Sequence, residues 1–152
     1  MSMSNHYKSN LRDVFFNLFE VFDIGATTLG KGPFQTMDEG AVRDVLSAYE
    51  RLCVERIAPT FAPADRVPLT LDDEGNVTVP EAVHEALALY YQDGWDKLDL
   101  PERLGGFGAP PSVIWSAFEL IVGANASVAY YIFGTFIGRI IDKLGTDSQR
   151  AR

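Results

Sequence analysis

The chain has 152 residues, 47% hydrophobic and 22% charged, and its 13 Lys and Arg against 21 Asp and Glu leave a net charge of −8. That length and balance describe one domain with a buried core, not a disordered chain, and the negative field opposes nonspecific attraction to nucleic acid or anionic lipid. Cys53 is the single cysteine, which excludes an intramolecular disulfide, and MSMSNHYKSNLRDVFF has no apolar stretch leading to a small-residue cleavage site, so a cytoplasmic location is expected.

In chain order, Leu11, Val14, Phe15, Leu18, Phe19 and Phe22 recur at three- and four-residue spacing and predict a short amphipathic helix capped by Ser9 or Asn10. DIGATTLGKGPF, rich in glycine and without a period, reads as a loop. Thr36 and Glu39 stand in capping-box spacing before a helix whose apolar face is Ala41, Val42, Val45, Leu46, Tyr49, Leu52, Cys53 and Ile57. Prolines at 59, 63, 68 and 80 punctuate a connector in which PLTLDDEGNVTVP suits a small hairpin turning at Asp73–Asn76. Pro80 opens a third helix bearing Val83, Leu87, Tyr90 and Tyr91, which Gly94 ends, with Glu81, His84 and Glu85 on its exposed face. GWDKLDLPERLGGFGAPP then interrupts all periodicity.

LIVGANASVAYYIFGTFIG, residues 120–138, holds no ionisable side chain and is long enough to raise a membrane-spanning reading. Gly123, Ala124 and Asn125 break it, however. A helix from Ser112 to about Val122 precedes the break, and Asn125 caps a second that runs to Leu144 and stops at Gly145. A helical hairpin inside a bundle is therefore expected and no membrane span. Thr146 and Gln149 repeat the capping-box spacing close to Arg152, which reads as the start of a further helix cut short.

Catalytic chemistry is sparse. His6 and His84 are far apart and lack neighbouring ligands, so no metal site is expected, and Asp72, Asp73 and Glu74 lack calcium-loop spacing. No serine sits in a Gly-x-Ser-x-Gly elbow, and LGGFG has neither dinucleotide nor P-loop spacing. Glu119 reads as a helix-surface acid. Tyr130, Phe133 and Ile137 share one helical face, which periodicity alone assigns to core.

Taken in order, RIAPTFAPADR (56–66), GWDKLDLPERLGGFG (94–108), ELIVGANASVAYYIFGT (119–135) and LGTDSQ (144–149) resemble the N-terminal helical domain of the acyl-CoA dehydrogenase family. YKSNLRDVFFNLFEVF is similar to the extra N-terminal segment of a bacterial long-chain-type branch. The resemblance implies an all-α fold, an orthogonal bundle of about five to six helices, divided into an N-terminal helical extension (1–36) and the domain proper (37–152).

It further implies an FAD-dependent enzyme of fatty acid β-oxidation that dehydrogenates fatty acyl-CoA to the trans-2-enoyl-CoA, commonly as a homo-oligomer. The identity of its electron acceptor stays open. In that family most flavin contacts come from a middle β-domain and the carboxylate base from a C-terminal helical domain, so no catalytic residue is expected within 1–152. The resemblance places Tyr130, Phe133 and Ile137 on the wall of the acyl-tail pocket and makes LPERLGGFG a structural turn beside it. The competing expectation is a noncatalytic helical module for interaction or acyl binding.

Overall fold

The computed structural model describes residues 5–150. Among these, helix dominates. The elements are α1 (Leu11–Phe15), which widens into π-type turns over Phe16–Val21, then α2 (Ile24–Thr27) and α3 (Glu39–Leu52), widened likewise over Cys53–Ile57. After these come α4 (Phe61–Arg66), α5 (Glu81–Gln92), α6 (Pro111–Ala124), α7 (Ala126–Tyr131), α8 (Gly134–Leu144) and α9 (Asp147–Arg150). The fold is all-α, as expected. The only pairing of strands among the described residues is the anticipated hairpin, β1 (Thr70–Leu71) against antiparallel β2 (Val77–Thr78), with Thr70 opposite Thr78. Asp72 closes its turn by accepting from the backbone N–H groups of Glu74 and Asn76.

The core is built around α3. Val42, Leu46, Tyr49, Leu52, Cys53 and Ile57 are all buried, and this stripe packs against Val113, Ala117, Leu120, Ile121 and Ala124 of α6. The 3.6-residue period thus turns one face of each helix inward, and burying such side chains contributes roughly 1.5–3 kcal/mol each before conformational entropy is counted. α5 adds Val83, Ala86 and Tyr90, and it packs on α7 and α4. Tyr91, expected on the same stripe, is half exposed instead. It points toward α7, where its hydroxyl donates to the Tyr131 carbonyl at 3.3 Å.

The N-terminal segment joins the same core through Leu18, Ile24, Leu29 and Met37. It is fastened to α3 by Arg43, whose guanidinium lies 4.8 Å from the Phe15 ring and 4.3 Å from that of Phe19, and by a Ser9–Glu50 hydrogen bond. The Tyr7 ring fills the notch left by Gly123, where a Cβ would come within 2.5 Å of it.

Four local expectations change. DIGATTLGKGPF is not wholly loop: Asp23 accepts from Ala26 N–H and starts α2, which carries buried Ile24. The cap of α3 is Asp38, accepting from Ala41 N–H at 2.8 Å, while Thr36 bonds Glu102 across the molecule. Phe22 is exposed because the wide turns after Phe15 rotate it off the inward face. The helix expected from Asn125 to Leu144 is broken by a turn at Ile132–Phe133, so α7 and α8 are separate. Two local predictions hold: Asn125 caps α7, and Thr146 and Gln149 form a reciprocal capping box around α9.

Candidate functional site

The break after α7 leaves α8 beside an apolar concavity. α8 continues over a cavity of about 430 Å³ whose floor is Tyr49, Tyr90, Trp95, Leu98, Ile114 and Phe118. Phe133, Phe136, Ile140 and Leu144 close it from the α8 side, with Arg139 and Lys143 at its edge. An apolar body with a few polar groups at one side is the usual make-up of a small-molecule site. The floor is stiffened by edge-to-face aromatic packing of Tyr49 with Tyr90 and with Trp95, ring centroids 6.4 and 5.0 Å apart, and Phe118 meets Phe133 at 5.1 Å.

Local sequence explains the framework. Pro110 and Pro111 start α6 where N–H groups would go unbonded, and Asn125 ends it and caps α7. The glycine-rich stretch folds on itself: the N–H groups of Gly105, Gly106 and Gly108 bond the carbonyls of Glu102, Pro101 and Leu100, and Ala109 bonds Leu98. Gly106 is required there, since a Cβ would lie 2.0 Å from the Leu100 carbonyl oxygen. The loop is therefore a structural turn, and its amides are already committed.

That commitment bears on FAD. A flavin dinucleotide needs free N–H groups or cations for its diphosphate, whereas the turn spends its amides internally and Arg103 and Arg139 are paired with Asp142 and Asp99. The turn's amides and these two arginines are therefore committed within the fold, and no step is assigned through a flavin.

Burial sets the electrostatics of the floor. It pushes the Tyr49 and Tyr90 hydroxyls well above the usual tyrosine range, and burial followed by the neighbouring Glu50 raises the Cys53 thiol likewise. These groups stay neutral near pH 7 and offer neither a base nor a nucleophile. Glu119 is exposed on α6, and His6 and His84 are exposed and far from the cavity lining. No cluster of metal-binding side chains is present among the described residues.

Of the three residues assigned to an acyl-tail wall, Phe133 lines the cavity. Tyr130 on α7 and Ile137 on α8 are exposed, 77% and 51%, outside its lining. The turn at Ile132–Phe133 is what separates a stripe that one continuous helix would have kept together. Sequence reasoning missed the floor aromatics as a site and the pairs Asp99–Arg139 and Arg103–Asp142, whose partners stand 40 and 39 residues apart and carry no local signal.

No family model matches the sequence. Over 147 residues the chain is 37% identical to the broad-specificity linear acyl-CoA dehydrogenase FadE5 of Mycobacterium tuberculosis, a match covering 96% of this chain and 24% of that protein. The chain's relatives are acyl-CoA dehydrogenases. A second, the 3-methylmercaptopropionyl-CoA dehydrogenase of Ruegeria pomeroyi, is 27% identical over 148 residues, again 24% of its length. The chain spans about a quarter of the curated relatives it matches, and the match corresponds to the N-terminal region of an acyl-CoA dehydrogenase. The all-α architecture agrees with the helical N-terminal domain of such enzymes.

Proposed function

We propose that residues 37–152, with 1–36 as a helical extension, form the N-terminal domain of a cytoplasmic, FAD-dependent, homo-oligomeric acyl-CoA dehydrogenase of fatty acid β-oxidation. The observation that carries this reading is the 37% identity over 96% of the chain to a linear acyl-CoA dehydrogenase. The cavity beneath α8 supports it by supplying an apolar enclosure of suitable character for an aliphatic tail. In this reading the reaction removes a proton and a hydride from adjacent carbons of a fatty acyl-CoA, and the groups that accept them belong to parts of the protein outside residues 1–152. The share of this domain is to bind and orient the tail and to exclude water. Phe133 is assigned the wall of the tail tunnel, while Tyr130 and Ile137 lie outside the cavity lining on α7 and α8.

The test is FAD binding and acyl-CoA oxidation with an artificial electron acceptor, for residues 1–152 and for a protein extended through the continuing reading frame. Activity in the extended protein alone is expected. If the extended protein folds but neither binds FAD nor oxidises acyl-CoA, a noncatalytic acyl-binding module replaces the enzyme reading. Within the complete enzyme, Phe133→Gly removes bulk from the tunnel wall and should shift the chain-length optimum of kcat/KM toward longer acyl groups. An unchanged profile removes Phe133 from the wall.

A further inference from the structure

α6 has two working faces. Ser112, Ser116, Glu119 and Gly123 recur at spacings of four, three and four and form one stripe along it. The N-terminal segment lies along that stripe, and the groove between them is lined by Tyr7, Asn10, Ser116 and Gly123 among others. Another face of the same helix carries Ile114 and Phe118 into the apolar cavity, and Trp115 borders both spaces. A displacement of α6 at the first face therefore alters the cavity at the second, because close-packed interiors pass on small shifts.

Gly123 is the point of close approach. It lies within α6 and outside the positive-φ glycines, so its backbone does not require glycine, which is a poor helix former. Space requires it instead: an added Cβ would lie 2.5 Å from Tyr7 Cε2, 3.1 Å from Cζ and 3.3 Å from the hydroxyl oxygen. The neighbours of Tyr7 fix its ring there. Asn5 accepts from the Tyr7 N–H at 3.0 Å and donates through Nδ2 to the Val54 carbonyl at 2.7 Å, in the widened turns after α3. His6 packs on Phe61 of α4 with ring centroids 4.4 Å apart, and Ser9 bonds Glu50, the residue after the floor aromatic Tyr49. The segment is thus fastened to α3 and α4 on either side of the residue that meets α6.

We infer that Tyr7 is a positioning residue for the tail site: lodged in the Gly123 notch, it wedges α6 from behind and sets the distance between the α3 and α6 walls of the cavity. The ligand class rests on the acyl-tail reading; the wedge rests on contacts within this chain. Tyr7 itself does not line the cavity. Loss of its ring leaves a void into which α6 relaxes only in part, and the cavity changes shape with it.

The experiment is equilibrium binding of N-phenyl-1-naphthylamine, a neutral apolar fluorophore, to residues 1–152, with far-UV circular dichroism checking the fold of each variant. Tyr7→Ala should weaken binding about fivefold, and Tyr7→Phe, which keeps the ring, should retain the original affinity. Gly123→Ala expels the ring by adding one carbon to α6 and should weaken binding by a similar factor; it decides the matter if Tyr7→Ala does not fold. The double variant should bind no more weakly than Tyr7→Ala alone, because both changes empty the same notch. Asp38→Ala, which removes the cap of α3, controls for lost stability and should bind as the unaltered chain does. Unaltered affinity in folded Tyr7→Ala and Gly123→Ala, an equal loss in Tyr7→Phe, or an equal loss in Asp38→Ala overturns the wedge and leaves the acyl-tail cavity standing. Failure of the unaltered chain to bind the fluorophore overturns the cavity assignment and the wedge together.

Discussion

Asn125 is fully buried, and both polar atoms of its side chain are used. Oδ1 accepts from the N–H of Ser127 at 3.0 Å and of Val128 at 3.4 Å, and Nδ2 donates to Thr60 Oγ1 at 2.9 Å. One side chain thus caps α7 and ties it to the turn before α4. Asn125→Ala removes the cap and leaves buried donors unpaired, so denaturant unfolding should register a loss of about 2–4 kcal/mol. Asn125→Ser, which keeps an acceptor, should recover part of it. Tyr7 shows the same dependence on surroundings. Burial first, then Cys53, Glu119 and Glu50, push its hydroxyl from 10.0 up to about 12. Because the folded state disfavours the phenolate, this contribution to stability is complete below pH 10 and is lost as pH rises from there through about 12. Tyr49 and Tyr90 act in the same direction. Denaturant unfolding between pH 9 and 11 should show falling stability, and Tyr7→Phe should flatten that fall; an unaltered slope would show that Tyr7 ionises freely in the fold.

At the scale of elements, the start of α3 separates two sequence signals of similar strength. Thr36 and Glu39 have the spacing of a capping box, yet Asp38 occupies the cap with extended backbone and accepts from Ala41 N–H. An aspartate there also meets the positive end of the helix dipole. Asp38→Ala should therefore cost about 1 kcal/mol in thermal or denaturant unfolding. Thr36→Val should cost less, since Thr36 loses only an exposed hydrogen bond to Glu102; the reverse order would return the cap to Thr36. The hairpin and the α9 capping box were legible because each depends on residues within four positions of one another. The α7–α8 break was not, since aromatic and β-branched residues around Gly134 permit either a continuous helix or a turn.

Across the whole molecule, α8 leaves Phe136, Ile137, Ile140 and Leu144 between 43% and 76% exposed. A contiguous apolar face of this kind on one helix drives association unless another surface covers it. Light scattering of residues 1–152 should give an apparent mass that rises with concentration, and Ile137→Glu with Leu144→Glu should suppress the rise. A concentration-independent monomer would show that the face is tolerated by water. The uncharged run 120–138 takes its meaning only at this scale: it is shared among α6, α7 and α8, and no helix among the described residues is long and apolar enough to cross a membrane.

Sequence by itself determined the all-α class, the inward faces of α3 and α6, the cap at Asn125 and the resemblance to acyl-CoA dehydrogenases. Each of these is written in spacings of three or four residues or in motifs that lie in order along the chain. Tertiary structure decided which of Tyr130, Phe133 and Ile137 faces a cavity, which residue caps α3, and how α8 is held. Those outcomes depend on partners such as Asp99 with Arg139 and Thr36 with Glu102, brought together from 40 and 66 residues away. Side-chain periodicity sets which face of a helix is apolar, but the packing of distant helices determines whether that face becomes core, cavity wall or exposed surface.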